Sequence, residues 1–150
     1  MKTIYLIHGW GVNPNSEPWF KWMKGECKKR NYKLIIPEMP NTNYPKINEW
    51  LDKLKEIVKN SNEDTYFIGH SIGCQGVLRY LETTNNKIGG VILVAPWMHL
   101  DENTVEEEGE ETREIAKPWV ETPIYWDKIK RLTNNFLCIF STNDPYVSLD

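Results

Sequence analysis

The sequence predicts an α/β chain built on one parallel β-sheet with helices on both faces, and three observations carry that expectation. Short apolar, β-branched-rich runs alternate with stretches of helical periodicity, the pattern of strands joined by right-handed helical crossovers. Five such runs are recognisable, enough for a three-layer αβα domain. In the third of them, Thr65-Tyr66-Phe67-Ile68-Gly69-His70-Ser71-Ile72-Gly73-Cys74, the apolar run stops at Gly69, a serine sits between two glycines, and an apolar-periodic stretch begins at once. That is a strand, a sharp turn and a helix in ten residues.

In chain order, Ile4 to Ile7 reads as a buried parallel strand running into the glycine loop His8-Gly9-Trp10-Gly11. Ser16 followed by Pro18 signals a helix start, with Trp19, Phe20, Met23 and Cys27 on its inner side. Leu34 to Ile36, closed by Pro37 and Pro40, is the second strand. The apolar positions 47, 50, 51, 54, 57 and 58 then recur at helical spacing. Tyr66 to Ile68 is the third strand, and its following helix runs to about Leu81, before Thr83-Thr84-Asn85-Asn86. Val91 to Pro96 is apolar on both faces and is expected to be central in the sheet; Phe136 to Phe140 is the fifth strand, ending at Ser141-Thr142-Asn143-Asp144-Pro145.

At 150 residues and 40% hydrophobic content the chain suffices for a single domain, residues 1–150, with a real core. One stretch breaks the alternation, about Met98 to Leu132. Between Asp101 and Glu121 it holds nine acidic and two basic residues, so this segment carries -7; against a net charge of -3 the remainder is +4. Its length and its aromatic second half (Trp119, Pro123, Tyr125, Trp126) make residues 98–132 a candidate lid-like insertion whose aromatics line an acyl pocket. A solvated acidic loop with an ordinary surface helix fits the same residues.

Without a continuous basic face, nucleic-acid binding is not expected. No apolar run reaches membrane-spanning length, and the N-terminal run is too short for a secretory leader, so a cytoplasmic location and no membrane partner are expected. Cys27, Cys74 and Cys138 are odd in number and scattered beside apolar stretches. They read as small core residues rather than a disulfide framework or a metal site, and no metal or cofactor is expected.

In an open parallel sheet, sites form outside the carboxyl ends of the strands, where three loops carry reactive residues: His8 to Gly11, Gly69 to Gly73, and Asn143-Asp144. Gly69-x-Ser71-x-Gly73 fits a nucleophile elbow, in which the serine is held strained at a strand tip and flanking glycines give strand and helix room to close. A serine nucleophile needs a general base, the base needs an orienting carboxylate, and the oxyanion needs two donors. Ser71 and Asp144 are the catalytic candidates, and the backbone N–H groups of Trp10 and Ile72 the oxyanion donors. The substrate-facing set is His8 and Gly9 from the first of these loops, Trp97 just after the fourth strand, and Trp126 from the insertion. Blander roles stay open: Ser71 as a helix N-cap, Asp144 as a turn residue before Pro145, His8 hydrogen-bonding within its own loop, and the tryptophans as core. His70 should point away from Ser71, and His99, at the end of the fourth strand, is a residual candidate base.

His8-Gly9-Trp10-Gly11, Pro37-Glu38-Met39-Pro40, Glu49-Trp50-Leu51, Gly69-His70-Ser71-Ile72-Gly73-Cys74, Leu93-Val94-Ala95-Pro96, Trp126-Asp127-Lys128-Ile129 and Asn143-Asp144-Pro145-Tyr146-Val147 occur in that order. Together they resemble the small α/β-hydrolases related to retinoblastoma-binding protein nine and the bacterial YdeN-like proteins. The resemblance implies a minimal α/β-hydrolase fold and a serine hydrolase, carboxylesterase or peptidase-like, acting on a small-molecule ester or amide, with the nucleophile on Ser71 and the triad acid on Asp144. In that family the triad histidine follows the acid, whereas here no histidine follows His99. The missing elements would take roughly 30 to 40 residues. The expectation is a hydrolase lacking its C-terminal part, or a divergent member without its base. Either way the triad is incomplete in this chain, and uncovered sheet surface beside Val91 to Val94 or Phe136 to Phe140 should favour self-association. The rival expectation is a non-catalytic protein-binding module on a hydrolase scaffold.

Overall fold

The computed structural model describes residues 1–147 and Leu149, and all five expected strands are present in it. β1 (Thr3–Ile7), β2 (Lys33–Ile35), β3 (Thr65–His70), β4 (Gly90–Val94) and β5 (Phe136–Ile139) form one parallel sheet in the order β2-β1-β3-β4-β5. The register sets Ile7 beside Gly69 and His70 beside Val94, so the loops leaving β1, β3 and β4 emerge together at one end. The chain steps from β1 to β2 on one side and then back across to β3 on the other. The crevice between the ends of β1 and β3 is therefore the switch point at which open α/β sheets bind ligands. β4 is paired on both sides, as its two-sided apolar pattern requires, but the middle position belongs to β3.

The helices α1 (Pro18–Lys29), α2 (Ile47–Ile57) and α3 (Ile72–Leu81) follow the sequence periodicity closely. Pro18 opens α1, where its missing N–H costs nothing. The capping position, though, is Glu17, and the Ser16 hydroxyl instead donates to the Asn13 carbonyl at 2.9 Å. α1 covers one face of the sheet, where Phe20 packs with Leu6 and Ile68. On the other face α2 and α3 pack Trp50, Leu54, Val77 and Leu78 against Tyr5, Ile7, Phe67, Val91 and Leu93. Every residue of α3 is buried, so this helix is sandwiched between the sheet and the rest of its layer.

Residues 98–132 are mostly helical: α4 (Glu102–Glu108), α5 (Glu110–Glu121) and α6 (Trp126–Lys130). α4 is capped by the Asp101 carboxylate, which accepts from the Asn103 N–H at 2.8 Å. Gly109, at φ 95°, turns the chain sharply between α4 and α5, a conformation that favours glycine. Arg113 then clamps the two helices by pairing with both Glu102 (2.7 Å) and Glu110 (3.1 Å).

The far end of α5 is held from beneath by a buried cation. Arg79 on α3, 3% exposed, donates to the carbonyls of Trp119 (2.8 Å) and Thr122 (2.7 Å) and to the Gln75 side chain (2.9 Å). Burial lowers its proton affinity below that of an ordinary guanidinium, and its charge lies over the Trp119 ring at 5.9 Å. Gln75 in turn donates to the Trp97 carbonyl at 3.1 Å, so one polar chain ties α3 to α5 and to the loop after β4. Arg79→Leu strands the buried Trp119 carbonyl and the part-buried Thr122 carbonyl and should cost about 2–3 kcal/mol. Thermal unfolding should show it as a loss of roughly 5–10 °C.

β5 is an edge strand and its side chains are exposed on both faces. Leu137 (52%) and Ile139 (47%) continue the α1 face beyond Ile92 and Val94, with which they are in register. Uncovered apolar surface thus lies at one of the two places the sequence indicated. Cys27 and Cys74 are buried as expected, whereas Cys138 is exposed, because it lies on this uncovered strand. Among the described residues no helix is long and apolar enough to cross a membrane.

Candidate active site

At the end of β3 the backbone turns so tightly that Ser71 takes φ 54° and ψ -125°, a left-handed conformation strained for any residue with a side chain. Its glycine neighbours are sterically compelled. A Cβ on Gly69 would lie 2.5 Å from the Cys74 Cα, and one on Gly73 would run into the carbonyl oxygens of Ile7 and His8 at the end of β1. Strand β1 and helix α3 therefore touch through a residue that has no side chain. Ser71 makes no capping bond to α3, which removes the N-cap reading. Instead it lines a cavity of about 550 Å³ together with Trp10, Ile72, Trp97 and Tyr146. If the strain at Ser71 is stored there for function, Ser71→Gly should raise stability by about 1 kcal/mol, measured by urea unfolding.

The candidate oxyanion donors flank this cavity. Ile72 is the first residue of α3, so its N–H has no partner within the helix and stands at the positive end of the helix dipole. No acceptor among the described residues takes the N–H of Trp10, although Gly11 beside it is fixed by a bond to the Thr42 carbonyl at 2.8 Å. The Trp10 indole is pinned through its donation to the Asn43 carbonyl at 2.9 Å.

Asp144 lies in the loop after β5, half-buried, with one carboxylate oxygen accepting from the N–H groups of Tyr146 (2.9 Å) and Val147 (3.0 Å). That is the turn role foreseen for it, and it also fixes the carboxylate, whose second oxygen has no hydrogen-bond partner among the described residues. Tyr146, two residues on, reaches the Ser71 cavity, so the Asp144 loop borders the site.

The histidines divide sharply. His8 does not face the cavity: it is fully buried, its Nε2 accepts from the Met39 N–H at 3.0 Å and its Nδ1 lies 2.9 Å from the Gly9 carbonyl. Those partners require the neutral ring protonated on Nδ1, and burial pushes its proton affinity down. His8 is thus a brace between the loops after β1 and β2. It is not among the residues lining the Ser71 cavity, and neither is Gly9, which packs behind Ser71 with the site of its absent Cβ 3.2 Å from the Ser71 Cβ. His70 turns to the opposite face, edge-on to Trp19 at 5.7 Å, as expected of a neighbour in a tight turn. It too is held below its usual proton affinity by burial, partly offset by Glu17 and Asp144. Since unfolding lets both rings take up protons, stability should fall as pH drops below about 6.5, by up to about 1.4 kcal/mol per pH unit for each histidine. His8→Asn should flatten that slope in denaturant titrations between roughly pH 7.5 and 5.5.

The insertion covers the cavity with its acidic half rather than its aromatic half. Leu100, Thr104, Glu108, Glu111, Thr112 and Ile115 form that wall, joined by Tyr44 from the loop after β2. Trp119 is core: 1% exposed, stacked edge-on to Trp50 at 5.5 Å and donating to the Pro45 carbonyl at 2.8 Å. Trp126 stands 42% exposed outside the cavity. Both displacements follow from Arg79, which draws the end of α5 into the core and leaves its beginning over the strand ends. Of the substrate-facing candidates only Trp97 lines the cavity, edge-on to Trp10 at 6.3 Å. Tyr44 and Ile115 carried no signal in the sequence, because only the packing of α5 beside α2 brings them to Ser71.

Among the described residues no group of three or more His, Cys, Asp or Glu side chains could hold a metal. A parallel sheet with a strained serine turn after β3, next to a donor-bearing loop after β1, defines the α/β-hydrolase class. The serine hydrolase family model matches residues 4–150, and the chain belongs to that family. It is 35% identical over 96 residues to a Bacillus subtilis (strain 168) protein named as the hydrolase YdeN, an alignment covering 63% of this chain and 50% of that one. It is 28% identical over 147 residues to the serine hydrolase RBBP9 of Rattus norvegicus, covering 97% of this chain and 73% of the relative. The crystal structure of the Bacillus subtilis ydeN gene product superposes with a TM-score of 0.86 at 26% identity, over 99% of this chain and 76% of that one. A monoacylglycerol lipase from Paleococcus ferrophilus shares the fold at a TM-score of 0.61 and 15% identity, over 91% of this chain and 71% of that one.

Proposed function

We propose that this chain is a serine hydrolase that cleaves esters or amides by acyl transfer through Ser71. The single observation that supports it most is the strained φ of Ser71 between two glycines that nothing but glycine can replace. In the proposed step Ser71 Oγ attacks the scissile carbonyl and passes its proton to a base, and the oxyanion is received by the N–H groups of Trp10 and Ile72. Collapse expels the alcohol or amine, which takes up that proton, and water then releases the acid by the same route. Asp144 is the carboxylate that would orient a histidine base. In the family resemblance that histidine follows the acid, and here no histidine does. His99 is exposed on the loop after β4 and is the fallback base in this chain.

On this reading a fluorophosphonate probe labels Ser71, and Ser71→Ala abolishes the adduct in intact-protein mass spectrometry. Turnover of a p-nitrophenyl ester by the 150-residue chain should be slow, since an incomplete triad retains only about 10³- to 10⁴-fold over water. Labelling that survives Ser71→Ala would show that the reactive nucleophile is another residue, and no labelling at all would favour the non-catalytic binding module. Brisk Ser71-dependent turnover that His99→Ala removes would instead make His99 the base.

A further inference from the structure

We propose that the Ser71 cavity selects substrates carrying a cationic group, an ester or amide whose acyl or leaving part bears an organic ammonium. This deepens the hydrolase reading and borrows from it only the position of the scissile bond at Ser71.

The cavity is walled by four aromatic residues, Trp10, Tyr44, Trp97 and Tyr146, and its charged lining residues are both acidic, Glu108 and Glu111. The indoles of Trp10 and Trp97 meet edge-on at 86° with centroids 6.3 Å apart, so the faces of one ring are left uncovered by the other, and an aromatic face attracts a cation. Like Glu106, Glu107 and Glu114 on the same helices, the two lining glutamates have no compensating cation among the described residues, whereas Glu102 and Glu110 are taken up by Arg113. Glu111 also lines a second groove of about 750 Å³ between α5 and the start of α2, and Tyr44 and Ile115 are likewise shared. A long substrate leaving Ser71 towards that groove passes the Glu111 carboxylate. The surrounding segment, at -7 between Asp101 and Glu121, adds a field that draws cations to this opening and repels carboxylates. A helix-dipole role for Glu111 in the first turn of α5 needs no cavity, and Glu110 beside it already fills that role.

The test is equilibrium binding followed by tryptophan fluorescence, using (4-hydroxyphenyl)trimethylammonium and its neutral isostere 4-tert-butylphenol. The cation should bind about tenfold more tightly at low salt. That preference should shrink in about 0.5 M NaCl and fall to within about twofold in the double variant Glu108→Gln, Glu111→Gln. Both positions are exposed, so far-UV circular dichroism should show the double variant folded as the parent. Equal affinities, no binding of either compound, or a preference that survives the double variant would overturn the inference. Ser71→Ala should keep the preference. Cation selectivity without fluorophosphonate labelling would therefore sink the hydrolase reading alone, and labelling without selectivity would sink this one alone.

Discussion

The contact between the start of α3 and the end of β1 is the constraint on which the site depends. Gly73 lies so close to the carbonyls of Ile7 and His8 that no side chain fits between them, and Gly69 is pressed in the same way against Cys74. Between these two crowded positions the chain passes from β3 into α3 through the left-handed conformation at Ser71. The strain is sustained by packing around it: all of α3 is buried, and the Ser71 N–H still completes the ladder to the Val94 carbonyl at 3.0 Å. The same closeness places the N–H of Ile72, which has no partner within the helix, beside the loop that carries Trp10. The placement of the nucleophile candidate and that of the candidate oxyanion donors are therefore linked through one steric contact.

Buried polar groups then hold the loops that this contact brings together. The neutral His8 ring joins the loops after β1 and β2, and Trp10 and Trp50 add bonds to the carbonyls of Asn43 and Pro40. Arg79 and Gln75 do the same for α5 and for the loop after β4. Carbonyls at the end of α5 would be orphaned in a largely apolar layer, and a guanidinium reaching out from α3 satisfies several of them at once. The cost of desolvating that cation is accepted where a hydrocarbon side chain would leave those carbonyls unmet.

The two faces of the sheet are unequally finished. α2, α3, α5 and α6 bury one of them, whereas α1 alone packs on the other and leaves Leu137 and Ile139 open beside Ile92 and Val94. An apolar edge strand of this kind invites pairing or burial. Because the Asp144 loop springs directly from β5, whatever covers that strand would also bear on the placement of the candidate triad acid.

The sequence by itself determined the strands, their parallel arrangement and the serine turn, because these depend on local facts: apolar runs of strand length, helical spacing, and glycines where a Cβ cannot fit. It also indicated a turn role for Asp144, whose partners lie two and three residues away, and the local half of the His8 role, its contact with Gly9; the bond from Met39 to His8 spans 31 residues. It could not say which half of the insertion would meet Ser71. Trp119 and Trp126 were chemically attractive, but the long-range bonds from Arg79 to the end of α5, across 40 and 43 residues, pulled that half into the core. Nor could it select Tyr44, Glu111 and Ile115, which reach the cavity only because α5 lies beside α2. Those choices belong to the tertiary structure, since they turn on which of several amphipathic faces wins the contact, and nothing in the spacing along the chain records that competition.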